Sequence, residues 1–503
     1  MNGVAQAPLF ELLSPKQTNI KFENHISESE NLNVLAYEYF YNGGGVAVGD
    51  INNDGLEDLF LTSNMGENKL FQNMGNLQFK DITKEAGSDL SGRPGGWKTG
   101  ATMADVNGDG WLDIYVCYSG KVTDDMRRNQ LFINQGNGTF KEEAAAYGLD
   151  DKSYSTQAAF FDYDNDGDLD LFLLNHSVKK IDNMEFARYR DDVDELAGDK
   201  LYENQNNHFV DVSKKAGLRQ NPLTFGLGIA ISDINKDGWQ DVYVTNDYNE
   251  PDYLYINNGN GTFTNVADKS LRYLSQFSMG VDIADFNNDA LPDIITLDML
   301  PEDNRRQKLL QLQENYESFS LMVNQGLNPQ YMRNMLQLNN GGLPPSPSNR
   351  GGGTASSPPA GGGGRVGANE LTFSEIGQLA GVSNTDWSWC PLMADYDNDG
   401  YKDLFITNGY FRDYTNKDFL RYWGDYKVKK AVDREPVLLM DLIRAMPSTS
   451  VINYIFRNNH NCTFSNQQKQ WGMDRPAVSS GAVYADLDNY GGTRVRRRML
   501  SVD

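Results

Sequence analysis

One nine-residue loop, Asp-x-Asn/Asp-x-Asp-Gly-x-x-Asp, recurs along this chain and constrains the fold more than any other feature. Full copies begin at Asp50, Asp105, Asp162, Asp233, Asp285 and Asp395, each after a short apolar stretch containing Gly or Ala, and a damaged seventh begins at Asp486. Loop positions 1, 3, 5 and 9 carry side-chain oxygens. In the first copy these are Asp50, Asn52, Asp54 and Asp58, with Gly55 at position 6. The later copies place Asp105, Asn107, Asp109 and Asp113; Asp162, Asp164, Asp166 and Asp170; and Asp233, Asn235, Asp237 and Asp241. The last two place Asp285, Asn287, Asp289 and Asp293, and Asp395, Asp397, Asp399 and Asp403. Oxygens on alternate residues of a tight turn converge on one hard cation, and glycine gives the turn its backbone freedom. So many carboxylates within nine residues repel one another unless a cation neutralises them. Calcium is the expected ion, because it suits flexible all-oxygen loops better than magnesium does.

An EF-hand is excluded on two counts. Its loop needs a bidentate Glu at position 12, where this chain has Leu61, Val116, Leu173, Val244, Thr296 and Ile406. It also needs flanking helices, whereas these flanks are short, β-branched or aromatic, and bounded by turn residues, as in Leu59-Phe-Leu-Thr62 and Val242-Tyr-Val-Thr245. The loop therefore joins two strands. Beyond each second strand comes Asn/Asp-x-Leu-aromatic-x-Asn and then a Phe-containing strand, as in Asn68-Lys-Leu-Phe71 with Phe79-Lys-Asp-Ile82. Each unit thus holds four short strands.

Four-stranded units at this spacing indicate an all-β, seven-bladed β-propeller with calcium loops between strands 1 and 2, short helical insertions and an incomplete last blade. A linear solenoid has shorter repeats. The expected organisation is an N-terminal tail over 1–16 and one propeller over 17–503. Its blades begin near 44, 99, 156, 226, 279, 388 and 479.

The run Gly45-Val-Ala-Val-Gly-Asp-Ile-Asn-Asn-Asp-Gly55 resembles FG-GAP/VCBS repeats, the units of the integrin α-subunit propeller. The segment Tyr37-Glu-Tyr-Phe-Tyr-Asn-Gly-Gly-Gly45 is similar to Bacteroidetes surface proteins that carry this propeller ahead of an ASPIC/UnbV-type domain. The resemblance implies calcium in the loops, loops crowded on one face of the disc, and adhesion or recognition of proteins or glycans.

Charge follows from the loops. The chain carries 45 basic and 69 acidic side chains, net −24, and the six loops hold 22 of the acids. Six divalent ions would return half of that charge. Nothing points to nucleic acid as a partner. No apolar run is long enough for a transmembrane helix, and Met1–Pro8 shows no signal peptide. Calcium loops of this kind favour an extracellular or cell-surface location. Three scattered cysteines form neither a disulfide framework nor a zinc pattern; Cys117 and Cys390 read as buried small hydrophobes.

The departures from the repeat carry their own expectations. Insertions between second and third strands, over about 176–198, 300–333 and 411–450, have helical spacing and leave on the face opposite the loops. They either build a recognition surface for a protein or glycan ligand or cover the channel mouth. A Gly/Pro/Ser run at 341–368 interrupts a hairpin turn and is expected to be disordered. In loop five Ala290 replaces the turn glycine, which predicts weaker calcium binding. After Asp488 the repeat breaks off, so the last blade lacks recognisable second and third strands, and residues 19–24 are placed to supply its fourth.

Two function classes follow: a non-enzymatic calcium propeller for adhesion or recognition at a bacterial surface, and a calcium-dependent polysaccharide lyase or glycosidase. The four histidines, His25, His176, His208 and His460, share no motif, and most loop carboxylates are accounted for by calcium, which favours binding. No catalytic residue is assigned. A purely structural module differs from the first class only in lacking a ligand.

Overall fold

A computed structural model describes residues 8–179, 186–248, 250–311, 316–341, 371–487 and 498–502. Six four-stranded antiparallel sheets follow one another along the chain, each with its strands in sequence order. Sheet one is Val46–Gly49, Asp58–Leu61, Lys69–Asn73 and Phe79–Asp81. Sheets two to six open with Trp97–Ala104, Ser155–Phe161, Gly226–Ser232, Val281–Ala284 and Ser388–Ala394. In every sheet the second strand starts at the ninth loop residue: Asp58, Asp113, Asp170, Asp241, Asp293 or Asp403.

Burial explains the sequence pattern of these strands. The second strands are buried along their whole length, and Leu59 and Phe60 are fully enclosed. That is why they read as continuous apolar runs rather than alternating ones. Each such side chain contributes about 1.5–3 kcal/mol on leaving water. The apolar contacts lie between sheets. Ala47, Phe60 and Leu70 of sheet one meet Ile114, Val116 and Phe132 of sheet two. On its other face, sheet two sets Tyr115, Leu131 and Ile133 against Leu171, Leu173 and Tyr202 of sheet three.

First strands of successive sheets lie side by side, from Val46–Gly49 beside Trp97–Ala104 onward. Gly481–Ala485 neighbours both Ser388–Ala394 and Val46–Gly49, so the order of neighbours returns to its start. The approach is close enough to require glycine. A Cβ on Gly100 would stand 2.5 Å from the Thr156 carbonyl oxygen, and one on Gly280 would stand 1.9 Å from that of Trp389.

Three sequence expectations change near the termini. Gly481–Ala485 has a second strand, Arg498–Val502, paired antiparallel to it, where none was expected; residues 488–497 lie outside the described residues. Residues 19–24 form no strand. Instead Ile20 and Phe22 pack with Leu59, Phe71, Phe79 and Leu487. Part of the expected tail is also built in. Phe10 donates its N–H to the Trp471 carbonyl at 2.9 Å and is buried against Tyr396. The Gly/Pro/Ser run falls outside the described residues apart from Gly341, but its flanks pair as expected, Met335–Asn339 with Phe373–Glu375.

At the end of the sheets away from the loops, residues 34–41 lie across the first strands. Tyr37, Tyr39, Phe40 and Tyr41 join Trp97, Phe277, Trp387, Trp389 and Tyr410 in one buried cluster. The Tyr39 hydroxyl donates to Asp247 at 3.0 Å, and the Tyr410 hydroxyl donates to the Glu38 carbonyl at 2.6 Å. His176 stands beneath, 3.3 Å from the Tyr37 hydroxyl and 2.6 Å from that of Ser119. Helices form in all three insertions, at Phe186–Tyr189, at Asn304–Leu310 with Tyr316–Asn324, and at Lys417–Asp433 with Leu439–Ala445. Phe419, Ile443 and Met446 of the last insertion pack onto the aromatic cluster. Arg306 ties two insertions together through Asp386 and Asp413 at 2.5 and 3.1 Å. These contacts favour the covering role for the helices.

Candidate metal centres

Each loop is wound around its first aspartate. Asp50 accepts the N–H groups of Asp54 at 3.1 Å and Gly55 at 2.6 Å, one on each carboxylate oxygen. Asp105, Asp233, Asp285 and Asp395 repeat both bonds on their own loops. Asp162 does the same to Asp166 and Gly167. The fifth-position carboxylate accepts the N–H two residues on, as Asp54 does from Leu56 at 2.9 Å. Two residues per loop take left-handed backbone angles. Position 6 was legible as Gly55 (φ 83°), whereas position 4 is Asn53, Asn165, Lys236, Asn288 or Asn398 in five loops and carries no single residue signature.

The ninth residue has a different role. Asp58 accepts the N–H of Ile51 at 3.1 Å on one oxygen and that of Asn73, on the third strand, at 2.6 Å on the other. Asp113, Asp170, Asp241, Asp293 and Asp403 are bonded alike. Burial pushes all six carboxyls up to about 7; the two N–H bonds oppose this, and neighbouring loop carboxylates add to it. A cation beside them reverses that balance by favouring the charged form.

The asparagine closing each third strand was visible in the sequence only as a turn residue. Its side chain joins two units. Asn134 Nδ2 donates to the Leu112 carbonyl of its own loop at 3.1 Å and to the Ile51 carbonyl of the preceding loop at 2.8 Å. Asn204, Asn257, Asn339 and Asn458 do the same. Asn73 reaches the Leu487 carbonyl at 3.0 Å, across 414 residues of chain. The loops also touch directly, since Asn53 Nδ2 donates to the Gly110 carbonyl and Asn288 Nδ2 to that of Gly400, both at 3.0 Å.

The donor sets suit a hard cation. Carboxylate oxygens of Asp162, Asp164 and Asp170 lie within 4.8 Å of one another, as do those of Asp395, Asp397 and Asp403. Asp164 Oδ1, Asp168 Oδ1 and Asp397 Oδ1 are buried with no hydrogen-bond partner, a costly arrangement for carboxylate oxygens. The other four loops have Asn at position 3, and its Nδ2 donates to the position-5 carboxylate, as from Asn52 to Asp54 at 2.9 Å. Of the cysteines, Cys117 is buried as expected and Cys390 is only half-buried.

The FG-GAP-like repeat family matches residues 50–116, 119–173 and 233–296, which contain loops one to five. The chain carries FG-GAP-like repeats. It is 25% identical to cartilage acidic protein 1 of Xenopus tropicalis over 264 residues, covering 50% of this chain and 39% of the relative. It is 28% identical to the mouse protein of that name over 227 residues, covering 44% and 32%, so it spans well under half of these relatives. Among solved structures, one describes recognition of non-reducing terminal N-acetylglucosamine by a lectin of Agrocybe aegerita. It covers 91% of this chain and 84% of its own at 13% identity and a TM-score of 0.41. The Vibrio cholerae biofilm matrix protein Bap1 gives 13% identity and a TM-score of 0.27 over 52% of this chain and 35% of its own.

Proposed function

We propose that this chain is a calcium-binding, non-enzymatic, seven-bladed propeller that serves adhesion or protein or glycan recognition at a bacterial cell surface. The observation that carries the calcium reading is the loop scaffold, with buried unpartnered oxygens on Asp164 and Asp168 of loop three. Folding alone leaves those oxygens without a partner, and a divalent cation supplies one. The cyclic order of first-strand neighbours supports seven blades, the last built on Gly481–Ala485. FG-GAP-like repeats support an extracellular setting, where calcium is plentiful. No helix among the described residues is long and apolar enough to cross a membrane.

Tyr37, Tyr39, Trp97, His176 and Trp389 line the central cavity together with glycines. The non-enzymatic reading rests on the loops, whose converging carboxylates are taken up by the proposed calcium. The helical insertions that cover the aromatic end also present the outer face opposite the loops, where we place a protein or glycan ligand. The test is thermal unfolding in EGTA against a calcium titration, with magnesium as control. A calcium-specific rise in Tm is expected, and an unchanged Tm would overturn the proposal.

A further inference from the structure

Loops three and six present the same converging carboxylates at positions 1, 3 and 9, yet their surroundings have opposite charge. The residue that differs sits on the third strand, one before the asparagine that closes it. In the other four units it is the uncharged Gln72, Ile133, Ile256 or Leu338. In loop three it is Glu203, which accepts from the Tyr163 hydroxyl at 3.0 Å and from Gln205 at 2.9 Å and pairs with the exposed Lys215 at 3.4 Å. In loop six it is Arg457.

The Arg457 guanidinium spans two of the ligand positions. Its Nε donates to Asp397 Oδ2 at 2.7 Å and its Nη2 to Asp399 Oδ2 at 2.9 Å. His460 adds a contact from Nε2 to the same Asp399 oxygen at 2.8 Å, its ring stacked on Tyr401 of the loop at 4.0 Å between centroids. In loops one, two, four and five the link between positions 3 and 5 is a neutral asparagine amide. Loop three has no such donor and two of its oxygens stay unpartnered, whereas in loop six only Asp397 Oδ1 does, the other oxygen of that carboxylate being held by Arg457.

Resting on the calcium reading above, we propose that Arg457 is the resident cation of loop six, so that this loop takes no calcium at concentrations that fill loops one to five. Guanidinium is always charged and its planar fork matches two carboxylate oxygens at once. A divalent ion entering loop six must break both charge-assisted bonds and then face a positive neighbour. At loop three the nearby cation, Lys215, meets Glu203 rather than a ligand carboxylate, so the loop keeps its charge for an ion. Loop six is the self-neutralised one.

Counting bound calcium per chain by native mass spectrometry at fixed free calcium tests this. Wild type is expected to hold one ion fewer than R457Q. D395N should leave the wild-type count unchanged and should abolish the ion gained by R457Q. The Arg457 side chain is 45% exposed, so its replacement leaves the core untouched. E203Q should weaken loop three on the order of tenfold or less, one paired charge beside a multidentate set. An equal count in wild type and R457Q, or loss of an ion in D395N alone, overturns the inference while leaving the calcium reading intact. No bound calcium in any variant overturns both.

Discussion

The loop rim and the aromatic end of this molecule are held by opposite physics. The rim is exposed and acidic, and its order comes from side-chain to backbone bonds spanning at most seven residues within each loop, repeated six times, with asparagine side chains joining one loop to the next. The aromatic end is buried and mostly apolar, and it joins residues as far apart as Glu38 and Tyr410. The rim needs an external charge to offset its own, whereas the aromatic end needs only the exclusion of water. Conditions that act on one should leave the other unmoved.

The largest expected effect is on the rim. Removing calcium with EGTA should cost about 2.7 kcal/mol per filled site at a hundredfold excess over Kd, read as a fall in Tm. Phe40→Ala at the aromatic end should cost about 3–5 kcal/mol, equally with and without calcium. A loss seen only in calcium would break the comparison. Asn134→Ala strips two carbonyls of their buried donor and should cost about 1–3 kcal/mol by denaturant titration.

Acid separates the two ends by sign. His176 is buried neutral, its pKa pushed down to about 3 by loss of water, so the unfolded chain takes up its proton first. The aromatic end should therefore lose about 1.4 kcal/mol per pH unit as pH falls below about 6.5, and H176Q should remove that slope. The ninth-position aspartates sit at about 7 without an ion, so there the folded state holds the extra proton. In EGTA the rim should instead weaken as pH rises from about 4 to 7, and calcium should abolish that trend. The smallest effect is at Ala290, which holds φ 69°: Ala290→Gly should gain about 1 kcal/mol or less.

The same contrast explains what the sequence made legible. Loop ligands, strand order and the turn glycines follow from local chemistry, so periodic spacing reveals them. Even the latch asparagine is periodic, but its partner carbonyl lies in another unit and only packing identifies it. Tyr37 to Tyr41 occur once, and nothing local says that they lie over His176 and Tyr410. Residues 19–24 had the alternation of a strand, yet their apolar side chains find a core without a ladder to join. Arg457 was unreadable because its significance lies in two carboxylates 58 and 60 residues earlier.

The bond from Tyr410 to the Glu38 carbonyl also sets an order in time. Tyr410 lies 372 residues after Glu38, so at about 5–20 residues per second the ribosome needs roughly 20–75 s to make it. Throughout that interval Tyr37, Tyr39, Phe40 and Tyr41 are already synthesised without the cluster that will enclose them. An aromatic segment made long before its partner is among the last to find its place. A nascent chain of this protein is therefore sticky around residues 37–41, where a chaperone has much to shield.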